Sequence, residues 1–246
     1  MSKVIVLASG KGGTGKSSVC VGLALAFAKM GRRVLIIDCD SCMRGSDIML
    51  GINSKVVFDI SDVVSGNCNY KDAIYQNDNI RNISLLAAPS SLDNEVSSGV
   101  MMQIVNEISP NYDYILIDAP AGLGSGFTSA VSCADEVIIV VNAEPTSMRG
   151  CENVKKALYS MDIKNVKFIL NKFDVNDFTK SGVYADIDEI IDKCELQMLG
   201  IVLQDSEYRY MLENNCSKFR KSNALTSIEC ITRRIEGENV PLSVSL

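Results

Sequence analysis

The chain has 246 residues, 47% hydrophobic and 22% charged, with a net charge of −6; this is the balance of a globular protein with a sizeable core, without the basic field of a nucleic-acid surface. It contains no histidine, which excludes imidazole catalysis, the serine triad and histidine metal sites. No run approaches the roughly 18 apolar residues of a membrane span, the first apolar run is too short for a signal peptide, and nine irregularly spaced cysteines argue against a disulfide framework, so the expected location is the cytoplasm.

In chain order, residues 3–9 (KVIVLAS) read as a strand. Residues 18–31 read as a buried helix, apolar nearly all round, with Gly31 as its C-terminal stop. A strand at 33–38 is followed by two short helices and a strand at 82–88. Then come a helix near 94–108, a strand at 114–119, a helix near 124–133 and a strand at 136–141. A helix near 146–160 precedes the strand at 166–171, and a helix near 184–194 precedes the strand at 197–203. Helices near 206–213 and 223–236 close the pattern. The alternation predicts an α/β fold, with a mostly parallel sheet and helices on both faces. The continuous apolar strands fit a sheet covered on both sides. No repeat or linker breaks the pattern, so residues 1–246 are expected to form one domain.

The first strand runs into SGKGGTGKSS. Gly10, Gly15, Lys16 and Ser17 fit G-x-x-x-x-G-K-[ST], with Gly12, Gly13, Thr14 and Ser18 in the same turn. Triphosphate oxygens need several backbone N–H groups at once, glycines allow the tight fold, and the helix start adds its positive end. Lys16 is expected to reach the β and γ phosphates and the Ser17 hydroxyl to bind Mg²⁺. Lys11 is surplus to one set of phosphates. It either serves the nucleotide of a partner subunit or is a solvated lysine.

Three further motifs sit at strand ends, where ligands bind in such sheets. IIDCDS carries Asp38 and Asp40, which can orient water or hold a metal's hydration shell. YILIDAPAGLGSG carries Asp118 in a Walker B arrangement, followed by Gly122 and Gly124 in a loop suited to sensing a γ-phosphate. FILNKFD carries Asn171, Lys172 and Asp174. An asparagine there suits the adenine edge, and the run also looks like the guanine-reading N-K-x-D, so the base is left open. Cys39 and Cys42 form one Cys-x-x-Cys without a second pair, and read as two reduced thiols near a loop. Lys218, Arg220 and Lys221 read as a solvated helix end.

KGGTGKS is a deviant Walker A box with a signature lysine. Together with DCDSCMRGSDIMLG (38–51), DAPAG (118–122), NAEPTSMRG (142–150) and RRIEGENVPL (233–242) it resembles the MinD-type ATPases of the MinD/ParA family, over nearly the whole chain. The resemblance implies a P-loop NTPase fold, ATP/ADP and Mg²⁺ as ligands, and an ATP-dependent face-to-face homodimer. It implies Lys11, Lys16 and Asp40 as the catalytic set, Lys11 crossing to the partner's phosphates and Asp40 positioning the attacking water. Ser17, Asp38 and Asp118 are implied for the metal, Gly122 for the second switch, and Asn171, with Lys172 beside it, for the base. Slow turnover, raised by an activating or cargo protein, and a role in spatial positioning such as division-site placement follow from the same resemblance. The chain departs from the family at PLSVSL, where a membrane-inserting helix is usual, so recruitment to the inner membrane face is expected through a partner. It also departs at Leu203 and Gln204, near the base, and at Cys42 and Gly45 in the first switch. An iron–sulfur carrier is the alternative within the same phosphate-loop class, but Cys39, Cys42 and Cys133 do not match its pattern. A ParA-type partition ATPase is another, and the acidic charge argues against it.

Overall fold

The structure, a computed structural model, describes residues 2–41, 44–77, 80–89, 96–216 and 222–242. Cys42, the start of the helix expected at 94–108, the basic group Lys218, Arg220 and Lys221, and residues 243–246 lie outside the described residues.

Eight strands make one sheet: β1 (Lys3–Ala8), β2 (Val34–Asp38), β3 (Ile74–Gln76), β4 (Ile83–Leu86), β5 (Tyr114–Asp118), β6 (Glu136–Val141), β7 (Val166–Phe173) and β8 (Gln197–Leu203). Their order is β3-β4-β2-β5-β1-β6-β7-β8. Every neighbouring pair is parallel except β3 with β4, which is antiparallel. The seven strands expected from apolar runs are present. β3 was not anticipated: it is three residues long and none of them is fully buried, so it carries no apolar run to read.

Alternate residues of β1 show why the strands read as continuous apolar runs. Val4, Val6 and Ala8 pack into the core on one side of the sheet with Phe127, Val154, Leu158 and Ile190. Ile5 and Leu7 pack on the other with Leu23, Phe27, Ile228 and Ile231. The first face is covered by α4 (Ser98–Ile108), α5 (Ser125–Val131), α6 (Pro145–Ser160) and α8 (Ile187–Cys194), the second by α1 (Lys16–Lys29), α9 (Ser206–Glu213) and α10 (Asn223–Ile235). With water excluded from both faces, a polar side chain mid-strand has nowhere to go.

Between β2 and β3 stand the two expected short helices, α2 (Gly45–Met49) and α3 (Ile60–Val64). A further helix, α7 (Val175–Ser181), follows β7 unpredicted. It has no buried residue, so no apolar stripe announces it, and it is started by Asp174, whose carboxylate accepts from the backbone N–H of Asn176 and Asp177. Asp205 does the same for two helices at once. One oxygen accepts from Glu207 and Tyr208 N–H at the start of α9, and the other from the Ser222 hydroxyl and Ala224 N–H at the start of α10.

The order β2-β5-β1 in the middle of the sheet positions the site. In register, Asp38 lies opposite Asp118, and Asp118 opposite Leu7, one residue before β1 ends. The carboxyl ends of all three strands thus deliver their loops to one place.

Candidate functional site

β1 ends at Ala8 and α1 begins at Lys16, with the glycine-rich turn between them. Gly15 is the residue before the helix and has φ +87, a left-handed conformation that penalises any Cβ. A Cβ at Gly15 would also strike the amide of Asn171. At Gly10 the restriction is steric alone: a Cβ would collide with the backbone carbonyl of Gly150 in α6. The turn is therefore clasped from two sides, by α6 backbone and by the β7 side chain Asn171.

Lys16 is buried, and its Nζ lies 2.5 Å from Asp118 Oδ1. Asp118 is wholly inaccessible; its carboxylate lies against Ser17, and its second oxygen, Oδ2, has no hydrogen-bond partner of sound geometry. The buried Thr14 hydroxyl also lacks one. Asp38, 2% exposed, accepts from the backbone N–H of Asp40 at 2.9 Å and of Ser46 at 3.2 Å. Burial and the charge of Asp118 nevertheless push the Asp38 carboxyl up to about 7. Burial also pushes Asp118 up, against the pull of Lys16. Burial alone would lower the Lys16 ammonium, but Asp118, with Asp40 and Asp38 behind it, outweighs that and raises it.

One buried ammonium thus faces two buried carboxylates with a third, Asp40, nearby. The cluster is short of positive charge, and it presents only hard oxygen donors, one of them without a partner. That donor set fits Mg²⁺. Among the described residues no three His, Cys, Asp or Glu side chains gather as a metal site, so a Mg²⁺ there would draw most of its ligands from phosphate and water, as this ion does beside nucleotides.

The other predicted residues fall around this centre. Gly122, with φ +93, donates its N–H to the Ser9 carbonyl at 3.2 Å, tying the loop after β5 to the start of the glycine turn. Gly12 and Gly13 lie on the exposed outer rim, and Ser18 is held from behind by the Tyr208 hydroxyl, 2.5 Å from its carbonyl. Lys11, the surplus lysine, is ion-paired with Glu144 of its own chain. Asn171 is buried and gives its amide N–H to the Thr14 carbonyl at 2.8 Å. Lys172, at φ +54, gives its ammonium to the Gly13 carbonyl at 2.8 Å. Here both support the turn from β7. A cleft of about 330 Å³ opens beside them, bordered by Lys11, Gly13, Asn142, Glu144, Phe173 and Gln204, which is room for a base and sugar.

Glu144, Asn142 and Gly150 were not singled out individually by sequence reasoning, although all three lie in NAEPTSMRG. Asn142 donates to the Asn171 carbonyl at 2.9 Å. Their roles depend on partners far away in the chain, which local pattern does not report.

A family model described as an AAA domain matches residues 2–173. The septum site-determining protein MinD of Bacillus subtilis (strain 168) is 32% identical over 249 residues, covering 99% of this chain and 92% of that protein. Among solved structures, the MinC:MinD cell division protein complex of Aquifex aeolicus superposes with a TM-score of 0.88 at 34% identity, covering 99% of each chain. The septum site-determining protein MinD of Pyrococcus horikoshii OT3, complexed with Mg-ADP, superposes with a TM-score of 0.84 at 26% identity, covering 96% of each chain.

Proposed function

The chain belongs to the MinD/ParA family of ATPases, and we propose that it uses ATP to time the assembly of a homodimer that positions a protein complex in the cell. The observation that carries this reading is the buried Lys16–Asp118–Asp38 cluster under the glycine turn, with an unpartnered carboxylate oxygen in it. A structural ion pair would be balanced and satisfied. This one has the charge and donors to take a metal and a polyphosphate.

Backbone N–H groups from Gly10 to Ser18 hold the phosphates, and Lys16 turns its charge from Asp118 toward them. Ser17, Asp38 and Asp118 would hold Mg²⁺, which when bound would neutralise charge on the phosphates. Asp40 orients the attacking water. Asp40 is half-buried, and the sequence holds no histidine to act as its base. Rate enhancement then comes from positioning and charge, and turnover is slow until a partner completes the site. Gly122 reports the γ-phosphate to its loop. Asn171 and Lys172 border the base, which we take to be adenine. Lys11 leaves Glu144 and reaches the phosphates bound by a second copy. We take residues 1–246 to act as one ATPase domain in the cytoplasm, and no described helix is long and apolar enough to cross a membrane. The partner is an activating or cargo protein, standing where MinC stands in the Aquifex complex. Placement of the division site is one such task.

The test is light scattering of the hydrolysis-deficient Asp40→Ala protein. With saturating ATP and Mg²⁺ it is expected to double in mass, and with ADP to stay monomeric. A monomer in both sinks the ATP-dimer reading.

A further inference from the structure

Two thiols outside the nucleotide cluster form a site of their own. Cys151, in α6, and Cys194, the last residue of α8, are both buried, and the α6 residues one turn on either side of Cys151 both reach Cys194. The Met148 sulfur, one helical turn before Cys151, lies 3.7 Å from Cys194 Sγ. Lys155, one turn after it, gives its ammonium to the Cys194 carbonyl at 3.1 Å and to Glu195 at 2.6 Å. Three sulfurs and a lysine from two helices thus converge. Packing alone would be served by any small apolar residues here, and a paired thiol has chemistry those lack.

From this juxtaposition we propose that Cys151 and Cys194 are a peroxide-oxidisable dithiol, whose disulfide ties α6 to α8 directly behind the glycine turn. The position matters because Gly150, the residue before Cys151, is the one whose carbonyl packs against Gly10 without room for a Cβ. A bond that fixes Cys151 also fixes the back wall of the phosphate loop. Sequence separation hides the pair: the two cysteines stand 43 positions apart and only the fold brings them together.

The two thiols are not equivalent. The hydrogen bond from Cys151 holds the Cys194 thiol below its ordinary pKa, helped by the Lys155 charge and opposed by burial. The same hydrogen bond and burial raise Cys151. Cys194, at the helix end and beside the Lys155 ammonium, is therefore the attacking thiolate. Its sulfur attacks one oxygen of hydrogen peroxide; the O–O bond breaks and hydroxide leaves, to be protonated to water. The resulting Cys194 sulfenic acid is attacked by Cys151. The S–O bond breaks, the S–S bond forms, and a second water leaves with the Cys151 proton. Two thiols lose two electrons, and one peroxide becomes two waters. Both thiols are buried, so peroxide reaches them when the end of α8, beside the exposed Glu195, opens locally.

The experiment uses the full-length, nucleotide-free protein, treated with hydrogen peroxide and then with N-ethylmaleimide. The intact mass before alkylation is expected to fall by about 2 Da. A tryptic digest is expected to link residues 150–155 to residues 194–209, and dithiothreitol to release the link. Recovery of both peptides separately alkylated overturns the proposal. So does a sulfoxide at Met148 with both thiols free. No variant is needed for this readout, though Cys151→Ser and Cys194→Ser should each abolish the link. The effect on the phosphate loop rests on the nucleotide-site reading above, and the mass measurement does not. Mg-ADP affinity is expected to differ about fivefold between oxidised and reduced protein, and equal affinities overturn the coupling while the bridge stands or falls on its own mass.

Discussion

Asp38 and Asp118 stand opposite each other in the parallel register of β2 and β5, both nearly inaccessible to water, and Lys16 pairs with Asp118. A sheet interior is an expensive place for two carboxylates. Their presence there fits a site that takes up further positive charge.

Removing Lys16 should make that imbalance visible. Lys16→Ala leaves Asp118 buried and unpaired, and breaking such a pair costs about 3–5 kcal/mol. The nucleotide-free variant is expected to melt well below the parent in differential scanning calorimetry, and Mg-ADP is expected to give no upward shift. A variant that melts like the parent would show that the pair is not buried in solution.

Lys11 should behave in the opposite way. Its partner Glu144 is more than half exposed, and such surface pairs contribute about 0–1 kcal/mol. Lys11→Ala is expected to fold and bind Mg-ATP as the parent does, yet to remain a monomer by light scattering. Normal dimerisation would remove the crossing role.

Gly10→Ala tests the clasp of α6 on the turn. The new methyl group meets backbone, the Gly150 carbonyl, and neither neighbour has a side chain to rotate away. Overpacking of this kind costs about 1–3 kcal/mol. Urea denaturation is expected to show that loss, together with at least tenfold weaker Mg-ADP binding (about 1.4 kcal/mol). Unchanged affinity would mean that α6 does not shape the phosphate site.

Asp205 predicts a pH dependence far from the site. Burial opposes its charge, but four donors from α9, Ser222 and α10 outweigh that and lower its pKa. Because the folded value is below the unfolded one, the stabilisation is present above the ordinary carboxylate pKa of about 3.9 and is lost as pH falls through the lower folded value. Asp205→Ala is expected to cost about 2 kcal/mol at pH 7, in the range of a lost cap, and progressively less as the pH is lowered below about 3.9. A loss that does not shrink as the pH is lowered, by urea titration, would assign the effect to packing.

Much of this architecture is legible in the residues, for reasons visible strand by strand. VIVLA, VLIID, YILID and EVIIVV are apolar without alternation because both faces are covered. Gly10, Lys16, Asp38 and Asp118 are legible because strand ends deliver them in register. What escapes is whatever depends on distant partners or on capping alone. The Gly10–Gly150 contact and the Lys11–Glu144 pair join positions more than a hundred residues apart. Helix α7 rests on one aspartate and no apolar stripe. Asn171 reads locally as a group aimed at a base, and only the fold shows its N–H on the Thr14 carbonyl.

The phosphate turn is made early in synthesis and walled in late. Its strand β1 pairs only with β5 and β6, its back wall is Gly150, its side wall Asn171, and the hydroxyl behind Ser18 comes from Tyr208. A growing chain emerging from the ribosome therefore carries the glycine loop exposed and unshaped until most of its length has appeared. Nucleotide cannot template the early stages of folding; it can only select molecules whose last third has already docked.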